Sequence, residues 1–332
     1  MRERQARIIR RISELKGTGS STIPLVSLSA EPNQLDKEER LMALLWIVTL
    51  VWAFSFSLIE VYLSGQVDEF VAVFLRVAVA LAVFAPLLAR SRPGWRAAWS
   101  LLAIGAVQIG VMYLFLFHAY AYLSVPELLL FTIFTPLYVT LIDEVFIGRR
   151  HVPGRFWLGA SLAVGGAAII RFGAVSADFL TGFWLVQAAN LCFATGQVAY
   201  KRLDLGSAVS QVQAFGLFFL GATLVAGSGV LLFADHTQWP ATTFQWGVVL
   251  WLGLGASGLG YLGWNLGTKR VNTGELAAMN NMLIPAGILV NFVFWNRDAD
   301  WLRVLAGGLV IGLAVWVCRG LSTHGRHTLA AK

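Results

Sequence analysis

Apolar and polar positions along this chain fall into long blocks. Apolar segments of about 18–24 residues are separated by short polar stretches, and this length lets a helix cross about 30 Å of hydrocarbon at about 1.5 Å per residue. The blocks therefore predict ten transmembrane helices. Their predicted ranges are 41–64, 69–90, 97–120, 126–147, 153–171, 179–201, 210–233, 243–267, 273–295 and 301–319.

A shift of 148 residues brings the third, fourth and fifth predicted helices onto the eighth, ninth and tenth. Chance identity between apolar residues does not readily explain the matches, because they include glycine, tyrosine, glutamate and arginine in one register. The matched pairs are Gly105 with Gly253, Gly110 with Gly258, Tyr113 with Tyr261, Glu127 with Glu275, Gly159 with Gly307 and Arg171 with Arg319. We therefore predict an internal duplication. Because each unit has an odd number of helices, the second unit enters the membrane from the opposite side, and such inverted repeats permit alternating access.

These two patterns predict an all-α integral membrane protein whose ten transmembrane helices form two inverted five-helix repeats. The first repeat covers 41–171 and the second covers 179–319. A basic N-terminal tail, 1–40, and a short C-terminal tail, 320–332, flank the repeats. For the N-terminal tail, disorder and a basic interfacial helix are both open, and no function is assigned to it.

The distribution of basic residues predicts the orientation of the helices. The chain is 57% hydrophobic and 13% charged, so its net charge of +7 is not interpreted as a sign of nucleic-acid binding. With the N-terminus inside, all 25 lysines and arginines fall on the cytoplasmic side except Arg76, Arg171, Arg297 and Arg303. Because basic residues near helix ends stay on the cytoplasmic side, both termini are predicted to be cytoplasmic.

The predicted eighth helix contains a glycine-rich run, GLGASGLGYLGWNLG. Small residues at a spacing of four allow helices to approach closely in lipid, where no hydrophobic force drives their association. Tight packing and a hinge are both compatible with this run. Its glycines are Gly253, Gly255, Gly258, Gly260, Gly263 and Gly267.

Arg76 is the lysine or arginine that lies well inside a predicted span. A charge near the bilayer centre costs about 2.5–3.5 kcal/mol on insertion scales, so this guanidinium needs a partner or a watery cavity. It could bind a substrate carboxylate through two parallel hydrogen bonds. The alternatives are a structural ion pair with Glu60 or Glu127 and snorkelling to the outer surface. Glu127 is itself counted among the candidate binding residues.

Uncharged polar residues on several predicted helices point to a cavity rather than to lipid. Amides offer both a donor and an acceptor, as recognition of an uncharged polar group such as a urea requires. Aromatic side chains can enclose the apolar part of a ligand. The alternative is that the amides bridge helices to each other. The candidate binding residues of this kind are Gln108, Tyr113, Gln187, Asn190, Tyr261, Trp264, Asn265, Asn280 and Asn281.

The sequence contains no pattern typical of a catalytic or metal centre. Cys192 and Cys318 lie within apolar spans and are interpreted as packing residues. An intramembrane enzyme needs a nucleophile beside a base or a metal-binding cluster, and His118 has no Ser, Asp or His at motif spacing. We therefore predict no enzymatic activity, no cofactor and no metal. The predicted partners are a small-molecule substrate and the lipid bilayer.

From Met42 to about Arg319, the sequence resembles the biotin transporters of the drug/metabolite transporter superfamily, in its carboxylate, amino acid and amine branch with EamA-like repeats. The first 41 residues lie outside this resemblance. The strings that carry it are WAFSFS (52–57), GVMY (110–113), ELLLFT (127–132), TPLY (135–138), YKRL (200–203), ASGLGY (256–261), MNNM (279–282) and PAG (285–287).

This resemblance implies import of biotin across the bacterial inner membrane by a secondary transporter with alternating access. It also implies that Arg76 holds the biotin carboxylate and that paired Asn and Gln groups hold its ureido ring. Many members of the superfamily export amino acids or other metabolites, which is the alternative function. Nothing resembles a nucleotide-binding loop, so a coupling-ion gradient and trapping of the imported product are both open as the driving force.

Overall fold

The computed structural model describes residues 32–91, 93–149, 177–269 and 273–295, with isolated helical positions at 158, 161–162, 165, 302, 305–306, 309–310 and 313. The chain divides into two compact units, Met1–Glu39 and Arg40–Lys332. Most of the predicted N-terminal tail and all of the predicted C-terminal tail lie outside the described residues. The architecture below is that of the second unit.

Eight helices make up the described part of this bundle. We number them in chain order: α1 Pro32–Tyr62, α2 Glu69–Leu88, α3 Trp95–Ala119, α4 Val125–Ile147, α5 Ala177–Arg202, α6 Ala208–Phe233, α7 Thr243–Thr268 and α8 Thr273–Trp295. They correspond to the predicted first to fourth and sixth to ninth spans. Every regular element in the described ranges is helical, so the all-α fold class is confirmed.

Seven of these helices are long and apolar enough to cross a membrane, and in α8 a shorter apolar stretch covers Asn280–Trp295. Within α1 the candidate span is Ala43–Tyr62, although the helix itself begins at Pro32. The bounds of the seven long candidate spans agree with the predicted ones to within two residues. The predicted spans 153–171 and 301–319 lie almost entirely outside the described residues, so the ten-helix count and the two-repeat division stay predictions.

Helices α1 to α4 alternate in direction, and so do α5 to α8, whereas α4 and α5 run parallel, and the loops between the helices define two ends of the bundle. At the upper end, which carries the loops 63–68, 120–124 and 234–242, the backbone N–H of Asp235 donates to Asp68 Oδ2 at 2.8 Å. At the lower end, which carries the loop 203–207 and the described loop residues 89–91 and 93–94, Lys269 Nζ donates to the Leu203 carbonyl at 2.5 Å. The positive-inside distribution predicts that the lower end faces the cytoplasm.

Three of the described helices change their winding. In α4 a 3₁₀ turn at Thr132–Phe134 and a π-helical end at Leu141–Ile147 interrupt the α-helix, and α3 and α7 change halfway along. The middle of α3 is π-helical at Ala106–Val111, and the middle of α7 is π-helical at Leu252–Leu259. A π-helical turn contains an extra residue, so it rotates the side chains that follow it, and such turns are frequent at functional sites. The 148-residue shift found in the sequence superposes these segments, because 106–111 maps onto 254–259.

Glycines set the close crossings around α3 and α7. An ideal Cβ at Gly105 of α3 would run into the backbone carbonyl of Phe218 in α6, and one at Gly253 of α7 would lie 2.9 Å from the carbonyl oxygen of Arg76 in α2. Further along α7, a Cβ at Gly267 would lie 2.6 Å from the Leu45 side chain. These three sites permit close helix approach, the packing role considered for the glycine-rich run.

Candidate substrate cavity

A cavity opens between α1, α2, α3, α4, α5, α7 and α8 and encloses about 700 Å³ of empty space, its mouth included. Aromatic and aliphatic side chains make up most of its wall, with a few polar groups among them. Its lining residues are Trp52, Ser55, Phe56, Ile59, Arg76, Met112, Tyr113, Leu116, Tyr120, Thr132, Thr135, Ala189, Asn190, Phe193, Tyr261, Asn280 and Leu283.

Arg76 is the charged residue of this wall, and it is only 2% exposed. Its Nε donates to Ser257 Oγ at 3.0 Å, and its Nη2 donates to Tyr113 Oη at 2.8 Å. Its Cζ lies 3.9 Å from the centroid of the Tyr113 ring, a cation–π contact. Its Nη1 is buried and has no hydrogen-bond partner. The guanidinium is thus held by neutral groups and keeps N–H donors available.

The two carboxylates considered as ion-pair partners of Arg76 are engaged elsewhere. In the described part of the chain no carboxylate oxygen lies within 4.0 Å of the Arg76 guanidinium. Glu60 Oε1 accepts a long hydrogen bond of 3.4 Å from the Val125 backbone. Glu127 accepts from the Ser124 backbone and hydroxyl in the capping box at the start of α4, and it does not line the cavity. The positive charge of Arg76 is therefore uncompensated by these side chains.

A cluster of aromatic rings surrounds the Arg76 end of the cavity. The Trp52 ring packs against those of Tyr261 and Phe193, with centroids 5.1 and 6.1 Å apart. Trp52 Nε1 also donates to the carbonyl of Ala256, within the π-helical segment of α7, at 2.8 Å. Tyr113 meets Tyr261 edge to face. These contacts give the cavity a rigid apolar wall beside its one positive charge.

The amides of α5 bridge to α4. Asn190 Nδ2 donates to the Phe131 carbonyl at 2.8 Å, and Asn190 Oδ1 accepts from Thr135 at 3.2 Å. Gln187 Oε1 accepts from Tyr138 at 3.1 Å. Asn190 nevertheless lines the cavity, whereas Gln187 does not. The bridging alternative considered for these residues therefore describes their contacts in this conformation.

The two adjacent asparagines of α8 differ in position. Asn280 lines the cavity, and its side-chain amide has no hydrogen-bond partner among the described residues. Asn281 lies outside the lining, and its Oδ1 is buried without a partner. Asn280 therefore presents a free donor and a free acceptor to the cavity.

A second polar group of residues lies below the cavity, between it and the lower end. Gln108 Nε2 donates to Asn265 Oδ1 at 3.3 Å, which joins α3 to α7. Trp264 Nε1 donates to Gln197 Oε1 at 3.2 Å, which joins α7 to α5. Three buried atoms of this lower layer lack partners: Gln108 Oε1, Gln197 Nε2 and Asn265 Nδ2. These four residues do not line the cavity.

The structure thus brings together part of the predicted site. The predicted residues in the cavity wall are Arg76, Tyr113, Asn190, Tyr261 and Asn280; those outside it are Gln108, Glu127, Gln187, Trp264, Asn265 and Asn281. Three residues important to the geometry were not predicted: Trp52, Phe193 and Ser257. Within the described ranges, no three His, Cys, Asp or Glu side chains come together as a metal-binding group.

Sequence comparison relates this chain to membrane transporters. The model of the EamA-like transporter family matches residues 40–172. The biotin transporter of Escherichia coli K12 is 46% identical over 278 residues, which is 84% of this chain and 93% of that protein. The probable biotin transporter of Pseudomonas aeruginosa PAO1 is 47% identical over 282 residues, covering 84% of this chain and 97% of that protein.

A solved crystal structure has the same fold. It superposes with a TM-score of 0.60 at 18% sequence identity, covering 86% of this chain and 98% of the other. At this identity the likeness concerns the path of the helices alone.

Proposed function

Since the chain belongs to the EamA-like transporter family, we propose that it imports biotin across the bacterial inner membrane by alternating access. The observation that carries this proposal is that one cavity combines an uncompensated guanidinium, an aromatic wall and an unpaired amide. Biotin has a carboxylate, an apolar chain with a fused ring, and an uncharged ureido group. Each of these parts has a counterpart in the cavity.

Arg76 binds the carboxylate in this proposal. Burial of its charge costs about 2.5–3.5 kcal/mol on insertion scales, and no described carboxylate offsets that cost by pairing with it. An anionic substrate supplies the missing charge when it enters. Charge-assisted hydrogen bonds to a carboxylate are about twice as strong as neutral ones. This difference favours an acid over its amide.

The apolar part of biotin packs on the aromatic wall formed by Trp52, Tyr113, Phe193 and Tyr261. Rings held in edge-to-face contacts lose little conformational freedom when a ligand arrives. The ureido group then lies toward α5 and α8, where Asn280 offers a free donor and acceptor. Asn190 adds polar atoms that α4 already holds in place.

Alternating access requires that the cavity close toward one side of the membrane at a time. In this conformation the lower layer of Gln108, Gln197, Trp264 and Asn265 separates the cavity from the lower end. The unpartnered atoms of that layer gain hydrogen bonds to water when the lower end opens, which offsets the loss of the two interhelical bonds. The matching π-helical segments of α3 and α7 support the inverted repeat on which such a motion depends.

The driving force is either the gradient of a coupling ion or the trapping of biotin after entry. The membrane position of the termini, both cytoplasmic in this proposal, follows from the distribution of lysine and arginine.

Uptake tests this function directly. Cells that lack their own biotin carrier and express this protein should accumulate labelled biotin above an empty-vector control, and a biotin auxotroph should grow at trace biotin. An exporter of amino acids or related metabolites, the alternative function, would not rescue that auxotroph. No uptake from a protein that reaches the membrane in normal amount would overturn the proposal.

A further inference from the structure

Two hydroxyl groups occupy a single edge of the Arg76 guanidinium. Its Nε and Nη2 donate to Ser257 Oγ and Tyr113 Oη at 3.0 and 2.8 Å, and these two oxygens lie 3.3 Å apart. A planar guanidinium presents its N–H groups in pairs along its edges, and a carboxylate accepts from such a pair with two oxygens. Here two neutral oxygens take the place that a carboxylate would fill.

The consequence is a guanidinium that is fixed in orientation while its positive charge is not compensated by the groups that hold it. A carboxylate on the same edge would fix the group equally well and would also neutralise it. The remaining edge includes Nη1, which is buried without a partner. Because Arg76 lines the cavity, an anion that enters it comes close to a guanidinium whose orientation is already fixed.

We infer that Ser257 is a positioning residue. With Tyr113 it forms a neutral clamp, two hydroxyl groups that hold one edge of the Arg76 guanidinium. The other edge is left for the substrate carboxylate. This inference rests on the proposed function and deepens it. It adds a residue that does not line the cavity, and it requires that residue to be uncharged.

Local structure explains why a short side chain reaches Arg76 at this point. Ser257 is fully buried in the π-helical segment of α7. The same segment contains Gly253, whose missing side chain lets the backbone of α2 at Arg76 come close. With the two helices this near, one methylene and a hydroxyl span the gap to Nε.

Substitutions of Ser257 can test separately whether its side chain must be uncharged and whether its hydrogen bond to Arg76 is needed. Ser257→Ala removes the hydroxyl and allows the Arg76 guanidinium to reorient. Ser257→Asp places a carboxylate beside Arg76 Nε. In this low-dielectric site the two groups form an ion pair, which compensates the positive charge that would otherwise attract the substrate carboxylate. Ser257→Thr keeps the hydroxyl. Ser228→Ala is the matched control, because Ser228 is an exposed serine of α6 whose hydroxyl donates to the Leu224 carbonyl of its own helix.

The experiment measures equilibrium binding of biotin and of biotin amide to the full-length protein in detergent, with each variant checked for a monodisperse size-exclusion profile. Ser257→Ala should weaken biotin binding about tenfold and amide binding much less. Ser257→Asp should weaken biotin binding by about a hundredfold or more and leave amide binding close to that of the wild type. Ser257→Thr and Ser228→Ala should both resemble the wild type.

Two results would overturn the inference, and they are distinguishable. If the wild type binds biotin but Ser257→Ala changes biotin and amide binding equally or not at all, Ser257 does not position Arg76. This arm does not depend on the folding of the aspartate variant. If the wild type binds neither ligand, the proposed function fails and the role of Ser257 fails with it.

Discussion

The rings of Tyr113 and Tyr261 meet edge to face, with centroids 5.9 Å apart and planes at 84°. The two residues are equivalent under the 148-residue shift of the predicted repeats. In an inverted repeat with an axis in the membrane plane, equivalent residues can touch only near that axis. Exchange of the two predicted repeats pairs α3 with α7 and α6 with α2. The crossing of α3 with α6 at Gly105 is therefore equivalent to the crossing of α7 with α2 at Gly253. The cavity beside this tyrosine pair therefore lies where the two predicted repeats meet.

Substitution of Arg76 should separate charge recognition from packing. Arg76→Ala should weaken binding of biotin by about a hundredfold and binding of biotin amide far less, because only the acid uses the uncompensated charge. Arg76→Lys keeps the charge, but an ammonium lacks the planar pair of N–H groups that binds a carboxylate through two parallel hydrogen bonds, so its affinity should be intermediate. Competition binding with the two ligands measures the ratio. Equal losses for both ligands from Arg76→Ala would assign Arg76 a structural role.

The adjacent asparagines of α8 provide an internal control. Asn280→Ala should weaken biotin binding by about tenfold, because it removes the free donor and acceptor in the cavity wall. Asn281→Ala should have a smaller effect on affinity, because Asn281 is not part of that wall. Binding isotherms of the two variants test the difference. Comparable losses, or a larger loss for Asn281→Ala, would contradict the proposed position of the ureido group.

The sequence predicted the helices well because hydrocarbon thickness fixes their length, and an intramembrane charge such as Arg76 stands out in an apolar run. It could not predict which amides face the cavity. Gln187 and Asn190 share one helix face in the sequence, yet both bond to α4 and only Asn190 reaches the cavity. Periodicity assumes a uniform α-helix, so the π-helical turns of α3 and α7 were not predicted. Ser257, within a run of small residues, is indistinguishable there from a packing residue.

The close helix crossings predict an asymmetry among glycine substitutions. Gly105→Ala should destabilise the protein by about 1–3 kcal/mol or more, because the added methyl meets backbone rather than a movable side chain. Gly247→Ala should change stability little, since nothing lies within 4 Å of its ideal Cβ. Thermal unfolding in detergent compares the two variants. A Gly105→Ala protein as stable as Gly247→Ala would show that the α3–α6 crossing can relax.

Reporter fusions test the predicted orientation of the bundle. Alkaline phosphatase, which is active only outside the cytoplasm, should be active when fused within 234–242 and inactive when fused within 203–207. Both positions follow long helices whose ends the structure defines at Phe233 and Arg202. A fluorescent protein that folds only in the cytoplasm should give the reciprocal pattern. The opposite pattern at both loops would invert the predicted topology and the assignment of the lower end to the cytoplasm.

The lower layer predicts a non-additive pair of substitutions. Gln108→Leu and Asn265→Leu should each destabilise the protein by about 1–3 kcal/mol, because each leaves its partner amide buried and more poorly satisfied. The double variant should lose less than the sum, since it removes both polar groups. Thermal unfolding of the four proteins gives the coupling. Because neither residue lines the cavity, the biotin affinity of each folded variant should stay close to that of the wild type. A loss of affinity as large as that of Arg76→Ala would instead show that Gln108 and Asn265 contact the substrate.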